Sequence, residues 1–117
     1  MAYDDGNVFA KILRGEIPSV KVYEDEATLA FMDIMPSSEG HTLVIPKEPY
    51  VSMDDFSANA SEGEIAALVR AVGVVARQIG VADSGYRILA NSGRHSHQEV
   101  PHLHIHIFGG QPLGRMI

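Results

Sequence analysis

Apolar residues recur along this chain in two rhythms. Between Ser61 and Gly80, Ile65, Leu68, Val69, Val72, Val75, Ala76 and Ile79 return every three or four positions, the period of a helix with one buried face. Ser61 and Glu64 stand at capping-box spacing before that run, and Gly80 closes it. A shorter helix is predicted from Asn7, as N-cap, through Val8, Phe9, Ile12 and Leu13 to a stop at Gly15. Elsewhere the rhythm is that of strands. "EIPSVKVYED" and "ATLAFMDI" read as a hairpin turning at Glu24, Asp25 and Glu26. "SSEGHTLVIPKEPY" places a Ser/Gly turn before a buried strand from Thr42 to Ile45, ended by Pro46 and Pro49. "GYRILAN" and "PHLHIHIFGG" supply two more strands. Strands before and after one long helix predict an α+β fold with a mainly antiparallel, five-stranded sheet and one long and one short helix.

Composition narrows the class. The 117 residues suit one domain, taken as 1–117, and 45% apolar with 21% charged residues is ordinary for a globular protein. Without cysteine there is no disulfide, thiolate zinc site or thiol nucleophile. No apolar run approaches the roughly 20 residues of a membrane span, and the first residues are acidic where a secretory leader is basic, so the expected location is cytoplasmic. A net charge of -6 with nine scattered Lys and Arg argues against a nucleic-acid polymer as partner.

Five of the six histidines lie in "HSHQEVPHLHIHIFGG", and His102, His104 and His106 alternate with Leu103, Ile105 and Ile107. On a strand the imidazoles share one face, spaced by about 6 to 7 Å, and the aliphatic residues share the other. Imidazole titrates near pH ~6.5, so such a row offers mostly neutral nitrogens that attack, accept a proton or bind metal, with some protonated rings that attract an anion. A lone histidine in a strand is ordinarily a surface or satisfied core residue; three in alternation point to a site. A metal centre that also draws on His95 and His97 is the rival, weakened because neighbours on one strand face point parallel where ligands must converge.

His102-Leu103-His104-Ile105-His106-Ile107-Phe108 resembles the alternating signature of the histidine triad (HIT) superfamily. "NVFAKILRGEIPSVKVYEDEATLAFMDIMP", "GHTLVIPKE" and "GYRILANSG" are similar, in order and spacing, to its histidine triad nucleotide-binding (Hint) branch, as is Gly109-Gly110 after the motif. The resemblance implies a HIT-like fold, a two-fold homodimer with the sheet continued across it, and a purine nucleoside phosphoramidate hydrolase or nucleotidyl transferase needing no cofactor or metal. The rival activities are dinucleoside polyphosphate hydrolysis and a nucleotide-binding or scaffolding role with little turnover.

By position, the resemblance makes His104 the nucleophile that forms a covalent nucleotidyl-histidine. It sets His102 and His106 around the phosphate and leaving group, and His41 behind them. It gives phosphate contacts to Asn91 and to the stretch His97, Gln98, Glu99 and Val100, the ribose to Asp33, and a purine slot to Phe9, Ile12, Phe31, Ile34 and Leu43. Ile12 and Leu43 are read equally well as plain core. The chain departs from the Hint pattern at His97 and Glu99, where that branch commonly has glycine and serine, and in its tail "QPLGRMI". An ionised Glu99 cannot donate to a phosphate. It is therefore expected either to turn away or to meet a cationic leaving amine.

Overall fold

A computed structural model describes residues 3–34, 36 and 40–116. Five strands, β1 (Lys21–Glu24), β2 (Thr28–Met32), β3 (Thr42–Pro46), β4 (Arg87–Leu89) and β5 (Ile105–Phe108), form one sheet in the order β1-β2-β3-β5-β4. Every neighbouring pair is antiparallel. The expected α+β class and five-stranded sheet are thus present. The Ser/Gly turn expected before β3 falls largely on residues 37–39, outside the described residues.

Both predicted helices form where their caps place them. Asn7 caps α1 (Val8–Leu13), its side-chain oxygen accepting from the Ala10 N–H at 2.9 Å. Helix α3 (Glu62–Gln78) opens on a complete capping box, with Glu64 N–H to Ser61 Oγ at 3.1 Å and Ser61 N–H to Glu64 Oε1 at 3.0 Å. Gly80 follows it at φ +81°, a left-handed position that suits glycine. A third helix, α2 (Met53–Asn59), was not expected. Its signals are present but faint: Ser52 caps it and Asp54 and Asp55 fill its first turn, while a single residue, Phe56, is buried, too few to set a period.

The sheet divides two packing layers. On one face Ala30, Val44, Leu103, Ile105 and Ile107 pack under α3 through Leu68, Ala71, Val72, Val75 and Ala76. Val69, read as part of that stripe, instead lies at its margin and is 68% exposed. On the other face Phe9 of α1 packs with Leu29, Phe31, Leu43 and Ile45. The Gly109-Gly110 pair has a steric reason of its own. A Cβ on Gly109 would sit 2.8 Å from the Val81 side chain, and Gly110 has φ +83°.

Candidate active site

The second layer opens, between α1 and the sheet, into a cleft of about 460 Å³. Its apolar wall is Phe9 and Ile12 from α1, Phe31 from β2 and Leu43 from β3; its polar wall is Asp33, His41, His104 and His106. The register explains the convergence: Leu43 on β3 pairs with both Phe31 on β2 and His106 on β5. Phe9 stands edge-on to Phe31 at 5.6 Å and to the His104 ring at 4.8 Å. Ile34 lines the lip and is 87% exposed. Ile12 and Leu43, ambiguous in the sequence, are both core and wall.

Only His106 of the triad lies within the paired part of β5. His104 precedes it, and the alternation holds: His104 and His106 face the cleft while Leu103, Ile105 and Ile107 face α3. The His104 Nδ1 is 2.7 Å from the His102 carbonyl. A carbonyl only accepts, so Nδ1 carries the proton and Nε2 keeps its lone pair for the cleft. The His41 Nε2 lies 2.9 Å from His106 Nδ1 and 3.5 Å from Asp33 Oδ2. With the proton on His41 Nε2, where the carboxylate favours it, His106 accepts at Nδ1 and presents an Nε2–H donor. Phe108 stacks on both rings, at 4.3 Å from His41 and 5.5 Å from His106.

His102 departs from its expected place. Its ring is fully buried, with Nδ1 2.6 Å from the Tyr3 hydroxyl and Nε2 2.8 Å from the Pro46 carbonyl. Both nitrogens are engaged by these partners, and the ring is not part of the cleft wall. What His102 offers the site is its carbonyl.

Asn91, half-buried after β4, is also off the cleft wall. Glu99 and Val100 line it, whereas His97 and Gln98 face a neighbouring depression of about 720 Å³ that meets the cleft at Glu99. Gln98 braces the loop, donating to the carbonyls of Val51 at 2.7 Å and Val100 at 3.0 Å and accepting from the Gly93 N–H at 2.9 Å. His97 stands at φ +61°, the left-handed conformation for which glycine is the usual residue.

Burial changes the expected charge state. It is the first cause holding His41, His102 and His104 below their ordinary pKa. His106 is pushed down to about 4 by burial and then by His104 and His41. All four rings therefore favour the neutral form at pH 7, in place of the partly protonated row expected from imidazole's ordinary pKa. Among the described residues, Asp33, His41 and His106 bring three possible ligand atoms within 4.8 Å of one another, the number and donor types of an open zinc site. His95 and His97, weighed in the sequence as ligands, are exposed and outside that group.

An imidazole, a carboxylate and an apolar slot thus meet in one cleft on the antiparallel sheet. The chain belongs to the HIT domain family, whose model matches residues 14–113. It is 64% identical over 115 residues to a HIT-like protein of Azospirillum brasilense, covering 98% of this chain and 94% of that one. It is 42% identical over 110 residues to the purine nucleoside phosphoramidase of Escherichia coli K12, covering 94% and 92%. Among solved structures, a HIT family hydrolase from Clostridium thermocellum superposes with a TM-score of 0.88 at 37% identity, over 97% of this chain and 98% of that one. Among the described residues, no helix is long and apolar enough to cross a membrane.

Proposed function

We propose that the protein is a cytoplasmic, homodimeric HIT-family hydrolase of purine nucleoside phosphoramidates, acting through a nucleotidyl-histidine at His104. The observation that carries this reading is the His104 ring: Nδ1 held by the His102 carbonyl, Nε2 in a cleft shared with Asp33 and an apolar slot of Phe9, Ile12, Phe31 and Leu43. The purine lies between Phe9, Ile12, Phe31 and Leu43, and the two acceptors of Asp33 meet the ribose diol. His104 Nε2 attacks phosphorus and the P–N bond breaks. The negative phosphate raises the pKa of the rings around it, so a proton taken up on His106 with the substrate passes to the departing amine. Water then attacks phosphorus, giving a proton to His106 as the His104–phosphorus bond breaks, which releases the nucleoside monophosphate and restores the neutral His104 ring. With no imidazolium in the resting site, the N–H groups of Glu99 and Val100 and the His106 donor offer the stabilisation of developing charge.

Glu99 favours an amine over a polyphosphate as leaving group. It lies at the junction of the two depressions, and its charge reaches His104. An anionic leaving group passing it meets repulsion and a cationic amine does not. Purified protein is thus expected to turn over adenosine 5'-phosphoramidate much faster than a dinucleoside polyphosphate, at the same rate with or without a chelator. The reverse preference, or loss of activity on chelation, contradicts the reading. Asp33 supplies a second check. Removing the 2'-hydroxyl takes a charge-assisted hydrogen bond from its carboxylate, at a cost of about 1 to 3 kcal/mol, so 2'-deoxy substrates are expected to react more slowly and Asp33→Ala to erase the difference. Equal rates in the unmodified protein would contradict it.

The dimer is supported by the unpaired outer edge of β4, where Tyr86 and Ile88 are 40% and 51% exposed, and by Val69 on α3.

A further inference from the structure

Tyr3 lies outside the residues that the family model matches, yet its hydroxyl reaches the most buried histidine of the triad. The proton on each atom of this contact follows from its partners. Pro46 presents a carbonyl to His102 Nε2; a carbonyl accepts, so Nε2 bears the hydrogen and Nδ1 is left as a lone pair. Tyr3 then donates to Nδ1 at 2.6 Å, and its oxygen accepts from the Asn7 side-chain amide at 3.0 Å. That amide also donates to the Asp4 carbonyl at 2.7 Å, while its carbonyl oxygen caps α1. Every donor in the series has an acceptor, and the direction runs from α1 to the triad.

We propose that Tyr3 is a positioning residue for His104: its phenol fixes the tautomer and pose of His102, and the His102 carbonyl in turn holds the nucleophile's Nδ1–H. The ring edge of Tyr3 against His102 at 5.6 Å, and that of Phe9 at 6.4 Å, leave the imidazole one pose. Burial raises the Tyr3 pKa, which keeps the phenol protonated and able to donate. The groups whose charge reaches Tyr3 are Arg14, Asp5 and Asp4, and His104 is the one that reaches His102. Asn7 ties this arm to α1, so the wall that carries Phe9 and the chain that carries His104 are set by one hydrogen-bonded series.

The inference rests on His104 as nucleophile, and Tyr3→Phe tests it while keeping the ring. One hydrogen bond of ordinary strength corresponds to roughly a tenfold change. The variant is expected to lose roughly that factor in kcat for adenosine 5'-phosphoramidate and to bind AMP within about twofold of the parent. The imidazole ¹⁵N spectrum of the unmodified protein should show His102 as the Nε2–H tautomer, with an Nδ1 that accepts a strong hydrogen bond. In Tyr3→Phe that Nδ1 signature should vanish and the His104 Nδ1–H resonance should shift upfield. An Nδ1–H tautomer of His102 in the parent, or an unmoved His104 resonance and kcat in the variant, overturns the proposal. The spectra are independent of turnover. A parent protein inactive on the phosphoramidate would therefore sink the functional reading and still leave the Tyr3 arm measured.

Discussion

Replacing His104 by alanine is expected to lower turnover of adenosine 5'-phosphoramidate by on the order of 10⁴-fold or more, because no other described residue of the cleft has a neutral ring nitrogen oriented in this way by a backbone carbonyl. His106 does not substitute for it: Nδ1 is taken by His41, and its remaining nitrogen carries the hydrogen on that assignment. The fold should survive. The ring of His104 is one wall of an open cleft rather than the centre of the core, and the layer under α3 does not include it. AMP affinity should change little, since Asp33, Phe9 and Phe31 remain. Steady-state assay beside AMP titration separates the two effects. Turnover within a hundredfold of the parent would show that the bond to phosphorus forms elsewhere.

The second large effect is on stability against pH. Four histidines are held below their ordinary pKa in the folded chain, first by burial in each case. An unfolded imidazole binds a proton near pH ~6.5, a folded His106 only at about 4. Between those values the unfolded chain holds more protons, so stability rises with pH. It is fully present above pH ~6.5 and is lost as pH falls toward about 4. His106 contributes roughly 2 kcal/mol of this after allowance for its partly open face, and the other three add with the same sign. Asp55 and Glu64, held low by capping hydrogen bonds, deepen the loss only below the usual carboxylate range. Urea unfolding at a series of pH values should show the midpoint falling steadily on acidification from pH 7.5 to 4.5. His106→Asn should flatten the curve. A midpoint that holds level or rises over that range would mean these rings titrate as freely as exposed ones.

The elements whose signals were local were readable in the sequence. The caps at Asn7 and Ser61, the glycines at 15 and 80 and the helical period after Ser61 each depend on residues within a turn or two. The site was readable as far as it depends on alternation, which put His104 and His106 on the face opposite Ile105 and Ile107. It was not readable where tertiary contacts decide. His102 obeys the same alternation, yet the N-terminal segment and the end of β3 close over its ring, and both contacts join residues far apart in sequence, Tyr3 with His102 and Pro46 with His102. The protonation state of the row likewise depends on burial rather than spacing. Gln98 stood in a stretch read as contacting phosphate, but its amide is used to tie the loop to Val51 across 47 positions. The hint beside it was His97, which stands where the Hint pattern commonly has glycine and which the structure holds at φ +61°.

The covalent step itself can be caught. Rapid mixing of the protein with adenosine 5'-phosphoramidate, alkaline quenching and peptide mass spectrometry should give an AMP adduct on the peptide that carries His104, with fragmentation placing it on that ring, and no adduct in His104→Ala. Turnover without any adduct, or an adduct on His41 or His106 that survives in His104→Ala, would contradict the account.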